Sequence, residues 1–477
     1  MATEEHDERE QSRQPKQSRP RPEGRRRPRT KPSGQQKQRP PQRRRRKRRR
    51  RRRTITPLAL VMSVLVLVLA LVGFAGSLGK GAANAQVAAR SEASNNQSEA
   101  EQQEASKTPG KVSFCAVGDN LMNGEGDFTV DLLGLANKWA GGGQGKYDFN
   151  PMYDEMRDVI SSYDIAFVNQ ETSFGGNDGL YYQGYPTYNT PDQVADAVTA
   201  AGFDVVNYNS NHSYDTGAKS IERSQKVWAK QDKITLIGSY TSEDDRKNIR
   251  VVERNGIKIA FLSYCYAQNG QTQNELPNDY YAVPFDKEKM REEIARAKDI
   301  ADAVVVYMHW GEEYEHTPSE QQVEYARFLA GQGVDLTIGS HAHVIQEVEY
   351  IGRGIPTTDG SGANENNGML CVYGLGDYIS GYTRPVCVLS GMFTCDFVRD
   401  DHGQISVTNP VWHGVIEHSE DNVDAAYLLK DYNESLAKKN KLLTRVGEDE
   451  TYSTTDPLKW AKDTTKEVVG NVIPVEV

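Results

Sequence analysis

Acids and histidines recur in this sequence directly after short apolar runs. Leu336–Ile338 leads into Gly339-Ser340-His341-Ala342-His343. Two imidazoles two residues apart, after a Gly-Ser turn, can face one cation, and imidazole suits zinc, iron and manganese. Ala303–Met308 leads into His309-Trp310-Gly311-Glu312, and Val112–Val117 into Gly118-Asp119-Asn120. Ile165–Val168 leads into Asn169-Gln170-Glu171, and Val205–Tyr208 into Asn209-Ser210-Asn211-His212. Each cluster has a plainer reading. Asp119 and Glu171 could cap turns. His309 could be a core histidine, and Asn211-His212 a turn with a surface ring. Taken in order, the set is one acid, a second acid, Asn-His, His and His-x-His. That is the inventory of a metal-dependent hydrolytic site.

The expected ligands are Asp119, Glu171, Asn211, His309, His341 and His343, with His212 as the group that protonates a leaving atom. Mixed nitrogen and oxygen donors without thiolate predict a divalent ion, Mn²⁺, Fe²⁺ or Zn²⁺, in one or two copies, and disfavour Ca²⁺.

Elements must carry these residues to one place. Further strands are predicted at Ile257–Tyr264 and Leu370–Tyr373. Helices are predicted at Pro151–Ser161, Pro191–Ala201, Ala218–Lys230, Lys287–Ala301 and Ser319–Ala330. Pro151 and Pro191 suit first helical turns. Strands alternating with helices predict an α/β fold, in which ligands bind just beyond the carboxyl ends of strands.

Charge divides the chain sharply. Residues 1–53 hold 23 basic against 6 acidic side chains, 54–79 hold none, and 80–477 hold 34 basic against 60 acidic, a net of −26. The run LALVMSVLVLVLALVGFAGSL, Leu58–Leu78, is about one bilayer thickness of helix at ~1.5 Å per residue. A signal peptide would have a shorter apolar region. The basic block Arg43–Arg53 precedes the run, so the N-terminus is expected in the cytoplasm and the acidic part outside, on a single membrane span. This adjacency favours anionic lipid over nucleic acid as the partner of the tail.

The expected organisation is a disordered basic tail over 1–53, a transmembrane helix over 54–79 and a flexible tether over 80–110. A globular domain follows over 111–415, with an extension over 416–477 read as a helix plus irregular chain. Five cysteines form no CxxC pair, which leaves a zinc ribbon unsupported. A Cys387–Cys395 bridge would suit an extracellular location. Tyr181, Tyr182, Tyr185 and Tyr188 lie in a Gly- and Pro-containing loop placed near the mouth of the crevice.

The strings VGDNLM, NQETSF, NSNHSYDTG, HWGEEYEHTPSEQQ, GVDLTIGSHAHVIQ and YGLGDYI occur in this order. In them the chain resembles the capsule-synthesis protein CapA family, over about residues 111–415. That family is tied to poly-γ-glutamate capsule production and is similar in fold to calcineurin-type metallophosphoesterases. The resemblance implies a four-layer sandwich of two sheets flanked by helices, with the six residues above as metal ligands and His212 as general acid. Leu121 stands where the phosphoesterase pattern has histidine, and Glu171 where it has a bridging aspartate. Ala342 replaces a usual proline, and Asp377 a usual asparagine. Two functions are compatible with this sequence. One is a metal-dependent hydrolase or transferase at the cell surface, acting on a phosphorylated, peptide or isopeptide-like polymer. The other is a non-catalytic, membrane-anchored assembly subunit that helps export or anchor an anionic polymer and keeps the site as a binding cleft.

Overall fold

The computed structural model describes residues 110–126, 129–270, 276–352, 368–444 and 455–477. The basic tail, the apolar run and the tether, apart from Gly110, lie outside the described residues. Among the described residues no helix is long and apolar enough to cross a membrane.

The strands in chain order are β1 (Gly110–Asn120), β2 (Ile165–Gln170), β3 (Val205–Asn207), β4 (Thr235–Ile237), β5 (Arg250–Arg254), β6 (Ile257–Cys265), β7 (Ala303–His309), β8 (Leu336–Ser340), β9 (Val348–Gly352), β10 (Gly368–Val372), β11 (Asp377–Ile379), β12 (Leu389–Arg399), β13 (Ile405–Glu420), β14 (Val423–Leu428) and β15 (Val475–Glu476). They form two sheets. One runs β14-β13-β12-β1-β2-β3-β4, with β11 added beside β1 and β15 beside β13. The other runs β5-β6-β7-β8-β10-β9.

Alternation along the strands decides what fills the space between and outside the sheets. In β1, Phe114 and Ala116 face inward and meet Phe261, Val305 and Ile338 of the second sheet in one shared core. Their neighbours Cys115 and Val117 face outward and pack with Met156, Ile160, Val194 and Val198 from helices. The second sheet does the same: Ala260, Leu262, Val304 and Val306 face outward against Met290, Ile294, Ala326 and Leu329. The layers are therefore helix, sheet, sheet, helix.

The central strands β1, β2 and β3 run parallel, as do β6, β7, β8 and β10. Parallel central strands buried on both faces read as the near-continuous apolar runs seen in the sequence. The expected helices appear at Asp154–Ile160, Gln193–Ala200, Ala218–Trp228, Lys287–Ile300 and Glu320–Gln332. Ser319 and Gln322 form a reciprocal capping box, and Gly333 closes that helix in the left-handed conformation.

The C-terminal part departs from expectation. Residue 415 falls inside β13, which continues to Glu420 and pairs along its length with β12 and β14. Most of 416–477 is thus sheet and helix, including Pro457–Val469, packed on the same core through Ala461 and Val469. Buried polar residues, Glu417, His418, Ser419 and Asp424, hid these stretches as strands. All five cysteines are free and buried, so Cys387 and Cys395 do not pair.

Close packing of backbones sets the height of β11 beside β1. Asp119 N donates to Gly376 O at 3.0 Å. A Cβ on Gly118 would stand 1.8 Å from that same oxygen. Gly118→Ala should therefore lower stability by about 1–3 kcal/mol or more, because the obstructing atom is backbone and cannot rotate away. Thermal unfolding measures this, and an unchanged melting temperature would refute the packing.

Candidate metal centre

Five carboxyl ends deliver the expected residues to one crevice where the sheets meet. Asp119 is the penultimate residue of β1, Glu171 follows β2, His309 ends β7, and His341 and His343 follow β8. Asn211 and His212 stand on the turn after β3. All seven are buried. Ligand atoms of Glu171, His309 and His341 lie within 4.8 Å of one another, as do those of Asp119, Glu171 and His343. His309 Nε2 lies 2.8 Å from Asn211 Oδ1 and 3.7 Å from Glu171 Oε1.

The backbone is bent to achieve this. His341 and His343 have φ of 100° and 56°, in the left-handed region that non-glycine residues avoid. Strain of this sort costs about 1–3 kcal/mol per residue and persists where surroundings enforce it. Here His341 N donates to Asp119 Oδ2 at 3.1 Å, tying the loop to β1.

Asp119 itself is positioned by amides. Asn169 Nδ2 donates to Asp119 Oδ1 at 2.5 Å, Asn207 Nδ2 donates to Asn169 Oδ1 at 2.6 Å, and Ser263 Oγ donates to Asn207 Oδ1 at 2.5 Å. This buried chain crosses from β1 to β6 and locks the carboxylate. His309 is held at its other nitrogen by the Tyr307 hydroxyl, 2.9 Å from Nδ1. His212 pairs Nδ1 with Asp215 Oδ2 at 2.7 Å, and Asp215 also accepts from Tyr188 N at 2.7 Å. Asn269 contacts both rows: its N donates to Asn211 O, and its amide reaches the His212 ring at 3.3 Å.

Glu171 is the anomaly. Both carboxylate oxygens are buried and have no hydrogen-bond partner, and the same holds for His341 Nδ1. Burial, then the neighbouring Asp119 charge, pushes the Glu171 carboxyl well above its usual range. Burial and the adjacent histidines push His309 and His341 well below theirs, which keeps them neutral. A desolvated carboxylate next to neutral imidazole nitrogens is a donor set suited to a divalent cation, and protein groups do not satisfy it.

Two residues here were not among the expected site residues. Asp377, on β11 opposite Asp119 in register, lies 2.9 Å from His343 Nδ1. Burial opposes charge on His343, yet the Asp377 charge and hydrogen bond outweigh it and raise the imidazole to about 10. The string GLGD at a strand start was the available signal. Glu313, exposed on the loop after β7, brings its carboxylate within 4.8 Å of the His341 and His343 nitrogens. In the tyrosine loop, Tyr188 is buried edge-on to His212 at 4.7 Å and meets the Tyr382 hydroxyl at 3.1 Å. Tyr181 and Tyr185 are exposed.

The family model for the bacterial capsule synthesis protein PGA_cap matches residues 113–382, more than half of the 477-residue chain. The chain belongs to the PGA_cap family. The matched region contains every residue of the candidate centre named in this subsection. Similar proteins include the PGA biosynthesis protein CapA of Bacillus subtilis (strain 168), 30% identical over 184 residues, 38% of this chain and 44% of that protein. The capsule biosynthesis protein CapA of Bacillus anthracis is 32% identical over 170 residues, 34% of this chain and 40% of that one. The chain thus matches less than half the length of either relative. The solved NAD nucleotidase of Haemophilus influenzae aligns over 76% of this chain and 60% of its own, at 12% identity and a TM-score of 0.38. That likeness is too slight to establish a shared fold.

Asp377 fixes the tautomer and orientation of a candidate ligand of this PGA_cap chain through the ring's other nitrogen. Asp377→Asn should keep the fold and weaken Mn²⁺ binding by about 10–100-fold. Titration calorimetry checks this, and equal affinity would remove Asp377 from the site.

Proposed function

We propose that this PGA_cap protein is a membrane-anchored capsule biosynthesis factor whose outer domain is a divalent-metal hydrolase, of metallophosphoesterase type, acting on an anionic γ-glutamate polymer or its precursor. The observation that carries the reading is Glu171: a buried carboxylate with no donor, facing His309 and His341. Glu171, His309, His341 and Asn211 would hold one ion. Asp119 and His343 share Glu171 with them and would hold a second if two bind. The single N-terminal span and the exterior location of the domain rest on the Arg43–Arg53 block and the uncharged run after it.

A divalent ion bound there supplies Lewis acidity, polarising a substrate oxygen and lowering the pKa of water. The protein's own groups do the remainder. Asp119, held by Asn169 and the His341 amide, is fixed before substrate arrives. Asp215 orients the His212 ring so that its second nitrogen can deliver a proton to a departing atom. Tyr188 covers one side of that ring and limits water around it.

Proton linkage gives the sign of the pH dependence. In the metal-free protein Glu171 keeps its proton to a pH above the usual carboxylate range, and His343 stays protonated up to about 10. Metal requires both deprotonated, so uptake releases about one to two protons near neutrality and affinity rises with pH. Calorimetry of Mn²⁺ binding in buffers of differing ionisation enthalpy reads this directly. A heat independent of buffer would contradict it.

Elemental analysis and hydrolysis assays on the full chain test the assignment. His341→Ala should lose most of the bound metal. His212→Ala should keep the metal and lose about 10²–10⁴-fold in hydrolysis of a phosphodiester or γ-glutamyl oligomer. Equal, negligible metal in wild type and both variants after Mn²⁺ reconstitution would overturn the proposal.

A further inference from the structure

The connections leaving the carboxyl ends of the parallel strands form the rim of the crevice. Their described parts are residues 121–126, 129–131, 171–192, 208–217, 266–270, 276–286, 310–319, 341–347 and 373–388. Together these carry 13 Asp and Glu but a single Lys or Arg, Arg384. A rim of this sign repels a polyanion, so an anionic substrate group needs a specific place to enter.

Arg384 has the surroundings of such a place. Its guanidinium carbon lies 3.7 Å from the centroid of the Tyr314 ring, and Tyr314 in turn lies 6.0 Å from the His343 ring. The Tyr314 backbone has φ of 69°, and its N–H donates to Ala342 O at 2.7 Å, between the two histidines. A strained tyrosine tied to the histidine loop thus supports the arginine. Arg384 also precedes the buried turn Pro385–Val388, where Cys387 N donates to its carbonyl, so its backbone is anchored as well.

Among the described residues the Arg384 guanidinium has no ion-pair partner and no side-chain hydrogen bond. Glu313 on the same rim turns to His341 and His343 instead. Arg223, the basic residue facing the 171–192 connection, is committed to Asp192 at 2.6 and 2.9 Å. Stacking on an aromatic face leaves the planar fork of N–H groups open to a carboxylate or phosphate in its plane.

We propose that Arg384, stacked on Tyr314 beside His343, is an oxyanion subsite that receives a substrate carboxylate of the γ-glutamate type. The proposal deepens the function above and rests on it for the identity of the substrate. It also implies that the crevice takes one anionic group at a time, because the rest of the rim is acidic.

Binding of three probes to the full chain tests it: a short γ-glutamate oligomer, the same oligomer as its methyl ester, and inorganic phosphate. Arg384→Gln should weaken the charged oligomer by about 10–100-fold, the effect of a charged hydrogen-bonded pair, and leave the ester unchanged. Arg384→Lys, which keeps the charge without the planar fork, should fall between the two. Metal content should equal that of the wild type, which shows the variant folded and the metal centre intact. Equal affinity of wild type and Arg384→Gln for the charged oligomer would overturn the subsite, as would equal losses for oligomer and ester. Loss of phosphate binding alone would overturn the carboxylate and assign a phosphate. If the wild type holds no metal yet Arg384→Gln still loses the oligomer, the metal reading fails and the subsite stands.

Discussion

A carboxylate sealed from water without a hydrogen-bond donor is expensive, and the architecture around Glu171 is arranged to keep one there. Burying a charged group unpaired costs several kcal/mol unless it protonates or meets a cation. Both sheets contribute to holding it. The first supplies Glu171 and Asp119, the second His309 and His341, and the Asn169–Asn207–Ser263 chain ties the two together beneath. The left-handed backbone at His341 and His343 adds strain to the same spot. A fold bears concentrated cost of this kind at sites where a ligand repays it.

Much of this was visible in the sequence, for a physical reason. Central parallel strands are apolar on both faces, so each ends abruptly where polar residues begin, and those ends are where ligands gather. Asp119, Glu171, Asn211, His212, His309, His341 and His343 were legible on that basis. Asp377 was not, because β11 is three residues long and its carboxylate acts through His343 rather than at the end of a strong apolar run. Glu313 was hidden among the acids of an ordinary-looking loop. The strands β12 to β14 were missed because polar residues that the fold buries, among them Ser390, Thr394, Glu417, His418 and Asp424, interrupt the continuous apolar signature. Their role is nonetheless direct: Glu417 on β13 accepts from the Ser380 and Gly381 amides, which anchors the chain just after Asp377.

Charge divides the chain along its length. The basic segment belongs to residues 1–53, whereas the crevice opens into an acidic rim. Under the proposed function, bulk attraction would not draw an anionic polymer to this domain, and recognition would be local, through a cation in the crevice and the arginine on its rim. Membership of the PGA_cap family, whose model describes a bacterial capsule synthesis protein, supports the proposed role. The chemistry of the crevice follows from Glu171 and its neighbours.

The most direct measurement is the thermal stability of wild type and Glu171→Gln, each with and without Mn²⁺, across pH. The raised Glu171 pKa means its favourable contribution is present below the unfolded-state pKa and is lost as pH rises through the folded one. The neutral amide removes that loss. Metal-free Glu171→Gln should therefore melt above metal-free wild type at neutral and higher pH, by about 1–3 kcal/mol, and Mn²⁺ should stabilise only the wild type. A variant that melts below the wild type while keeping its full Mn²⁺ shift would contradict the account, because Glu171 would then be a structural group and not the centre of a metal site.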